Sequence, residues 1–236
     1  MAPNGPDDSA HTAAAETTFK QQLVDCIRML EQNDIMDYNG HASIRLPDDR
    51  ILINSGSCQR SRLTIDDICV IDLDANQLSG KDGAPLERHL HCGIYRVRPD
   101  VKAIIHCHPK WSTYLTMVGK PYQPVYAQGS LVHPMPLLDS PNSINNRPMA
   151  DQLAATLGDR PAALLKSHGA VAVGKDIVEA FVLLNYLEEN SMRQYMALQI
   201  GEPYVFTDEE MRLCRDKLWN ANLFQRAWDH FRAKLK

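Results

Sequence analysis

Val101-Lys102-Ala103-Ile104-Ile105-His106-Cys107-His108 reads as a β-strand. Successive side chains of a strand point to opposite faces. Val101, Ala103 and Ile105 therefore fall on one face, and Ile104, His106 and His108 on the other. Residues two apart point the same way, so both imidazoles look into one site. Two imidazoles on one side suit zinc, manganese, iron or cobalt. Two histidines on a merely polar strand face is the competing reading of the same spacing.

Upstream, Leu86, Leu90 and Ile94 recur at i, i+4 and i+8, which predicts a short helix ending before Pro99. Ala42–Leu46, Ile51–Asn54 and Cys69–Leu73 are short apolar segments separated by polar turns, and they read as strands. Phe19, Leu23, Ile27 and Leu30 predict a first helix from about Glu16 to Asn33. The small and polar residues over 1–15 predict a disordered tail ahead of a single domain over 16–236. Downstream, 121–150 reads mostly as loop, and Leu153–Leu157 as part of a helix. Ala162–Ser167 and Ala170–Gly174 flank His168-Gly169 as a hairpin. Asp176 with Glu179 starts a long helix reaching Ile200, and Gly201 stops it. Thr207 and Glu210 form a capping box, and a last amphipathic helix begins at Trp219. Many strand neighbours are joined by short turns. The pattern predicts an α/β fold with a mixed, mostly antiparallel sheet flanked by helices.

The chain has 236 residues, 44% of them hydrophobic, which is enough for one sizeable core. A net charge of -4 leaves no basic surplus for a nucleic-acid partner. No apolar run approaches the roughly 20 residues of a membrane helix. The first residues lack the charged start and apolar core of a secretory signal. The six cysteines are scattered without a C-x-x-C, which predicts reduced thiols and a cytoplasmic protein. Neither a G-x-G-x-x-G nor a P-loop motif supports nucleotide binding.

His168 sits in a Ser-His-Gly turn between apolar strands, where a polar ring must find a partner. With His106 and His108 it would complete a three-histidine site with open coordination. Glu87 starts the helix that precedes the histidine strand, either as a carboxylate favoured by the helix dipole or as a general acid/base. His91 lies four residues on, and it either orients Glu87 or packs behind the site, the second being preferred.

Glu87-(x3)-His91, Arg98-Pro99-Asp100-Val101, His106-Cys107-His108, Ser167-His168-Gly169 and Asn39-Gly40-His41-Ala42-Ser43 together resemble the class II aldolase/adducin superfamily over roughly residues 19–212. The resemblance implies a single-domain αβα sandwich, metal ligation by His106, His108 and His168, and a glutamate acid/base at Glu87. It also implies a homotetramer with active sites near subunit interfaces. Sugar-phosphate aldolases of that superfamily usually carry two small hydroxyl residues just before the glutamate, to hold substrate phosphate. Here Pro85-Leu86 stands instead, and these side chains offer no donor.

Three stretches are similar to a decarboxylase branch acting on hydroxy-methylpyridine dicarboxylate or dihydroxyphthalate. They are Trp111–Tyr114, Pro121–Gly129 and Asn185–Asn190. The expected function is therefore a divalent-metal-dependent carbon–carbon lyase, a decarboxylase in aromatic compound catabolism. It would work through an enolate-like intermediate stabilised by one Mn2+ or Zn2+ per chain, with Fe2+ or Co2+ also compatible. Glu87 or His41 would deliver the ring proton. Ser55, Arg60 and Arg62, in the polar loop after Asn54, and Tyr126 are expected to bind substrate, with solvated arginines and ordinary packing as the alternatives. An aldolase, epimerase or dehydratase acting on a sugar or sugar-phosphate shares the same metal set. A non-catalytic adducin-like module would be expected to lose it.

Overall fold

Eight strands form one sheet among the described residues of the computed structural model, which are 6–235. They are β1 (His41–Arg45), β2 (Ile51–Asn54), β3 (Ile68–Ile71), β4 (Gln77–Ser79), β5 (Ala103–Cys107), β6 (Leu137–Leu138), β7 (Ala162–Leu165) and β8 (Gly169–Gly174). Their order is β4-β3-β2-β1-β5-β8-β7-β6. Every pairing is antiparallel except β6 with β7. The expected mixed sheet is thus observed, with β4 and β6 as short edges that the apolar pattern does not reveal. β4 is exposed along its length, so no hydrophobic alternation marks it.

Among the described residues there are seven α-helices: α1 (Pro6–Gln32), α2 (Arg88–Val97), α3 (Lys110–Met117), α4 (Arg147–Leu157), α5 (Ile177–Leu198), α6 (Asp208–Leu218) and α7 (Ala221–Arg232). Leu23, Ile27 and Leu30 of α1 and Phe181 and Leu184 of α5 pack against Ala42, Ile44, Ala103, Ile105 and Cys107 on one face. Leu90, Ile94, Leu153 and Leu157 of α2 and α4 pack against Ile51, Ile53, Ile104 and Val171 on the other. Each fully buried Ile or Leu contributes about 1.5–3 kcal/mol through removal of apolar area from water. The result is the αβα sandwich.

Several boundaries differ from the sequence reading. α1 begins at Pro6, so residues 6–15 of the expected tail are helical, while 1–5 lie outside the described residues. Ala10 and Ala13-Ala14-Ala15 are strong helix formers, which favours a helix that starts this early. Leu86 is 75% exposed and lies ahead of α2, whose N-cap is Glu87. Val101 packs with the α2/α4 layer rather than with Ala103 and Ile105. The ladder starts only at Ala103, and the Val101 amide closes a turn onto Arg98, so the strand alternation does not reach back to it. α3 went unpredicted. The two cap signals proved sound: Asp176 accepts from the Glu179 amide at the start of α5, and Thr207 and Glu210 box the start of α6. All six cysteines are unpaired. Among the described residues no helix is long and apolar enough to cross a membrane.

Candidate metal centre

β5 is a central strand, and its polar face carries the site. His106 is its penultimate residue and pairs directly with His41 at the start of β1. His108 follows the strand end. His168 sits in the β7–β8 turn, which β8 brings alongside β5 through Cys107 opposite Ala170. Ring centroids of His106, His108 and His168 stand 5.1–5.2 Å apart in a triangle. Glu87 completes the group, and one donor atom from each of the four lies within 4.8 Å of the others.

Hydrogen bonds orient the His106 and His108 rings toward a common point. His106 Nδ1 lies 3.0 Å from the Ala170 carbonyl oxygen, which only accepts. The ring proton therefore sits on Nδ1 and the lone pair on Nε2. That Nε2 is buried, has no hydrogen-bond partner and faces Glu87 Oε2 at 3.5 Å. Two lone-pair bearers facing each other in a buried place call for a cation between them. His108 is set the same way, with Nδ1 2.9 Å from Asp37 Oδ2. A carbonyl or carboxylate behind a ligating imidazole fixes its tautomer and raises its basicity. The donor set fits a divalent ion such as zinc or manganese.

Electrostatics agree. Burial lowers the pKa of His106 and brings His168 down to about 4, so both stay neutral and able to ligate. Burial raises the Glu87 carboxyl, but its polar neighbours outweigh burial and lower its pKa, so the group is ionised. Glu87 also stands at the N-terminus of α2, where the helix dipole favours negative charge. Its Oε1 accepts from the Ile144 amide at 2.7 Å.

A cleft of about 630 Å³ opens over these groups. Arg60, Asn39 and His41 line it, with Ala84, Pro85 and Leu86 beside Glu87 and Ser143 and Ser167 on another wall.

A family model for the Class II Aldolase and Adducin N-terminal domain matches residues 21–195. The chain belongs to that family. Among curated relatives, an L-fuculose phosphate aldolase of Methanocaldococcus jannaschii is 30% identical over 172 residues, covering 73% of this chain and 92% of the relative. A 3-oxo-tetronate 4-phosphate decarboxylase of Haemophilus influenzae is 30% identical, covering 73% and 84%. A 3,4-dihydroxyphthalate decarboxylase of Arthrobacter keyseri is 29% identical, covering 60% and 62%. The curated relatives are thus lyases of both aldolase and decarboxylase type. The L-fuculose 1-phosphate aldolase structure from Glaciozyma antarctica superposes with a TM-score of 0.84 at 18% identity, covering 100% and 93%. That likeness shows the class II aldolase fold.

Within this class II aldolase fold, the residues expected to bind substrate divide. Arg60 lines the cleft and is buried. Ser55 is also buried, but only the next residue, Gly56, reaches the cleft. Arg62 is exposed and outside the cleft wall, because the short 3-10 turn over Arg60–Arg62 points the two side chains apart. Tyr126 lies in a separate depression with Trp111 and Tyr186, its ring covered by the Arg193 guanidinium at 4.0 Å. Its backbone is held there by Asn190. His91 bonds to His41 rather than to Glu87. Sequence reasoning missed Asp37, Ser43, Tyr95 and Ser143. Asp37 precedes Asn39-Gly40-His41 by only two residues, and a carboxylate next to that turn was the available clue.

Proposed function

We propose that this chain is a divalent-metal-dependent decarboxylase of a hydroxylated aromatic or pyridine carboxylate. Arg60 carries this reading. It is 3% exposed, lines the cleft, and no ion pair to a carboxylate holds it among the described residues. Its Nε and Nη1 donate only to the Gly40 and Ser55 carbonyls and to the backbone and sulfur of Cys58. A buried guanidinium without a counter-charge is costly, and an anionic substrate supplies one. The apolar wall of Ala84, Pro85 and Leu86 suits a flat ring better than a phosphate, which needs N–H or O–H donors. The dihydroxyphthalate decarboxylase relative supports the same reading.

His106, His108 and His168 would hold the ion. When bound, it supplies Lewis-acid stabilisation of negative charge on a neighbouring substrate oxygen. Ionised Glu87 accepts the proton of the substrate hydroxyl and returns it to the ring carbon that bears the carboxylate. The ring is then a ketone. The carbon–carbon bond breaks, its electron pair restores the aromatic oxyanion, and CO2 leaves. The oxygen then takes a proton from water. Arg60 holds a second carboxylate during these steps.

Aldol cleavage of a sugar phosphate is the second reading, supported by the fuculose phosphate aldolase relative. The test loads the chain with Mn2+ or Zn2+. It measures CO2 release from dihydroxyphthalate and hydroxypyridine dicarboxylates beside aldehyde release from L-fuculose 1-phosphate. The expected result is CO2 release that a chelator abolishes. In Arg60→Met, KM should rise at least roughly tenfold, about 1.4 kcal/mol. Aldehyde without CO2 would replace this reading by the second.

A further inference from the structure

His41, His91, Ser43 and Tyr95 form a continuous polar chain on the α2 side of the sheet, and the mechanism above leaves it unused. His41 Nδ1 lies 2.7 Å from His91 Nε2. His91 Nδ1 lies 2.7 Å from Ser43 Oγ, and Ser43 Oγ lies 2.8 Å from Tyr95 Oη. All four side chains are buried. At the open end, His41 Nε2 has no hydrogen-bond partner and faces Glu87 Oε2 at 3.7 Å.

Each link carries one proton, so the chain has two self-consistent directions. In one, every group donates toward Glu87. In the other, every group donates toward Tyr95. The end groups decide between them. A carboxylate only accepts. Donation toward Tyr95 would set a lone pair of His41 Nε2 against that carboxylate. It would also leave the Tyr95 hydroxyl to the more distant carbonyls of Ser43 and Lys102, at 3.2 and 3.5 Å. Donation toward Glu87 satisfies every short link. Tyr95 O–H meets Ser43 Oγ, Ser43 O–H meets His91 Nδ1, and His91 Nε2–H meets His41 Nδ1. An N–H then remains at His41 Nε2, aimed at Glu87. One proton per link also leaves every member of the chain uncharged.

We propose that Tyr95, Ser43 and His91 are positioning residues that hold His41 in its Nε2–H tautomer, as a neutral hydrogen-bond donor to the charge that develops beside Glu87. A neutral imidazole that gave up this proton would become an imidazolate, or would pass the charge back to a buried phenol. His41 therefore stabilises charge, and Glu87 moves the proton. The catalytic half of this inference rests on the decarboxylase reading. The tautomer does not.

The test labels histidine with 15N and records two-bond 1H–15N correlations of the zinc-loaded protein. The His41 signals are identified by their loss in His41→Asn. The expected wild-type tautomer is Nε2–H. Ser43→Ala removes the donor to His91 Nδ1, and His41 should then become mixed or reversed. On a decarboxylated substrate, Ser43→Ala should lower kcat roughly 10–100-fold with KM and zinc content unchanged, the usual range for a supporting partner. His91→Gln, whose amide still donates to His41 Nδ1, should recover activity relative to His91→Leu. An Nδ1–H wild type, or a tautomer unmoved by Ser43→Ala, would overturn the proposal. An unchanged kcat would overturn its catalytic half. Absence of any decarboxylation defeats the decarboxylase reading, and the tautomer result still decides the chain.

Discussion

Asp37 shows how much a single side chain outside the metal set contributes. Its Oδ1 accepts the Asn39 and Gly40 amides, and its Oδ2 takes His108 Nδ1. Partial burial raises its pKa, but His108 and the two amides prevail and lower it, so the group is ionised. It thereby fixes the His108 ring and strengthens it as a donor. Asp37→Ala should weaken zinc affinity about 10–100-fold, measured by competition with a chromophoric chelator, with little change in secondary structure. Unchanged affinity would mean that His108 is oriented by packing alone. Arg60 and Arg62 diverge although they lie two residues apart. The two are equivalent in sequence. One turn of 3-10 helix buries the first against the Gly40 carbonyl and leaves the second in solvent.

At the scale of elements, the site depends on two tight junctions. A Cβ on Gly169 would collide with the Cys107 carbonyl oxygen, so only glycine lets the β7–β8 turn approach β5 this closely. Ser167 beside it already has a left-handed φ of 53°. Gly169→Ala should push His168 away from His106 and His108. It is expected to lower Tm by several degrees and to reduce bound metal below one ion per chain, read by calorimetry and elemental analysis. The second junction is α5 with the segments it holds. Glu188 accepts the Trp111 and Ser112 amides, capping α3 from a distance in sequence. Asn190 accepts the Val125 and Tyr126 amides, and a Cβ on Gly129 would strike it. Glu188→Ala leaves two amides at the α3 start without their acceptor. Its expected cost is about 1–3 kcal/mol in urea denaturation, while Glu188→Gln should cost less because one acceptor remains. These contacts join Trp111–Tyr114, Pro121–Gly129 and Asn185–Asn190. They form one packed unit.

Across the whole molecule, the buried imidazoles make stability depend on pH. His41, His91, His106 and His168 are all lowered by burial from the ordinary 6.5, His168 to about 4. Between those values the unfolded chain binds protons that the folded chain refuses, so stability falls as pH falls. The metal-free protein should hold its full stability above about pH 6.5 and lose it progressively toward about pH 4. The measurement is Tm of chelator-treated protein at about pH 7.5, 6 and 5. A Tm that is flat across this range would show that the histidine cluster is already open to water. Metal-loaded protein should start higher and fall more steeply, because protons also compete for the ligand imidazoles.

The local sequence was enough for whatever depends on neighbours along the chain. Alternation marked β5 and put His106 beside His108, and the caps at Asp176 and Thr207 marked α5 and α6, because strand period and cap hydrogen bonds act over a few residues. The order of motifs indicated the class II aldolase fold, the three histidines and Glu87. Tertiary structure alone decided what depends on distant segments meeting. Asp37 reaches His108 across 71 residues, His41 finds His91 across 50, and Glu188 caps a helix 77 residues away. Arg60 became a cleft residue, while Tyr126 was drawn off by Arg193 and Asn190. No period or spacing encodes such pairings. They exist only when strand register and helix packing bring two faces within hydrogen-bond reach.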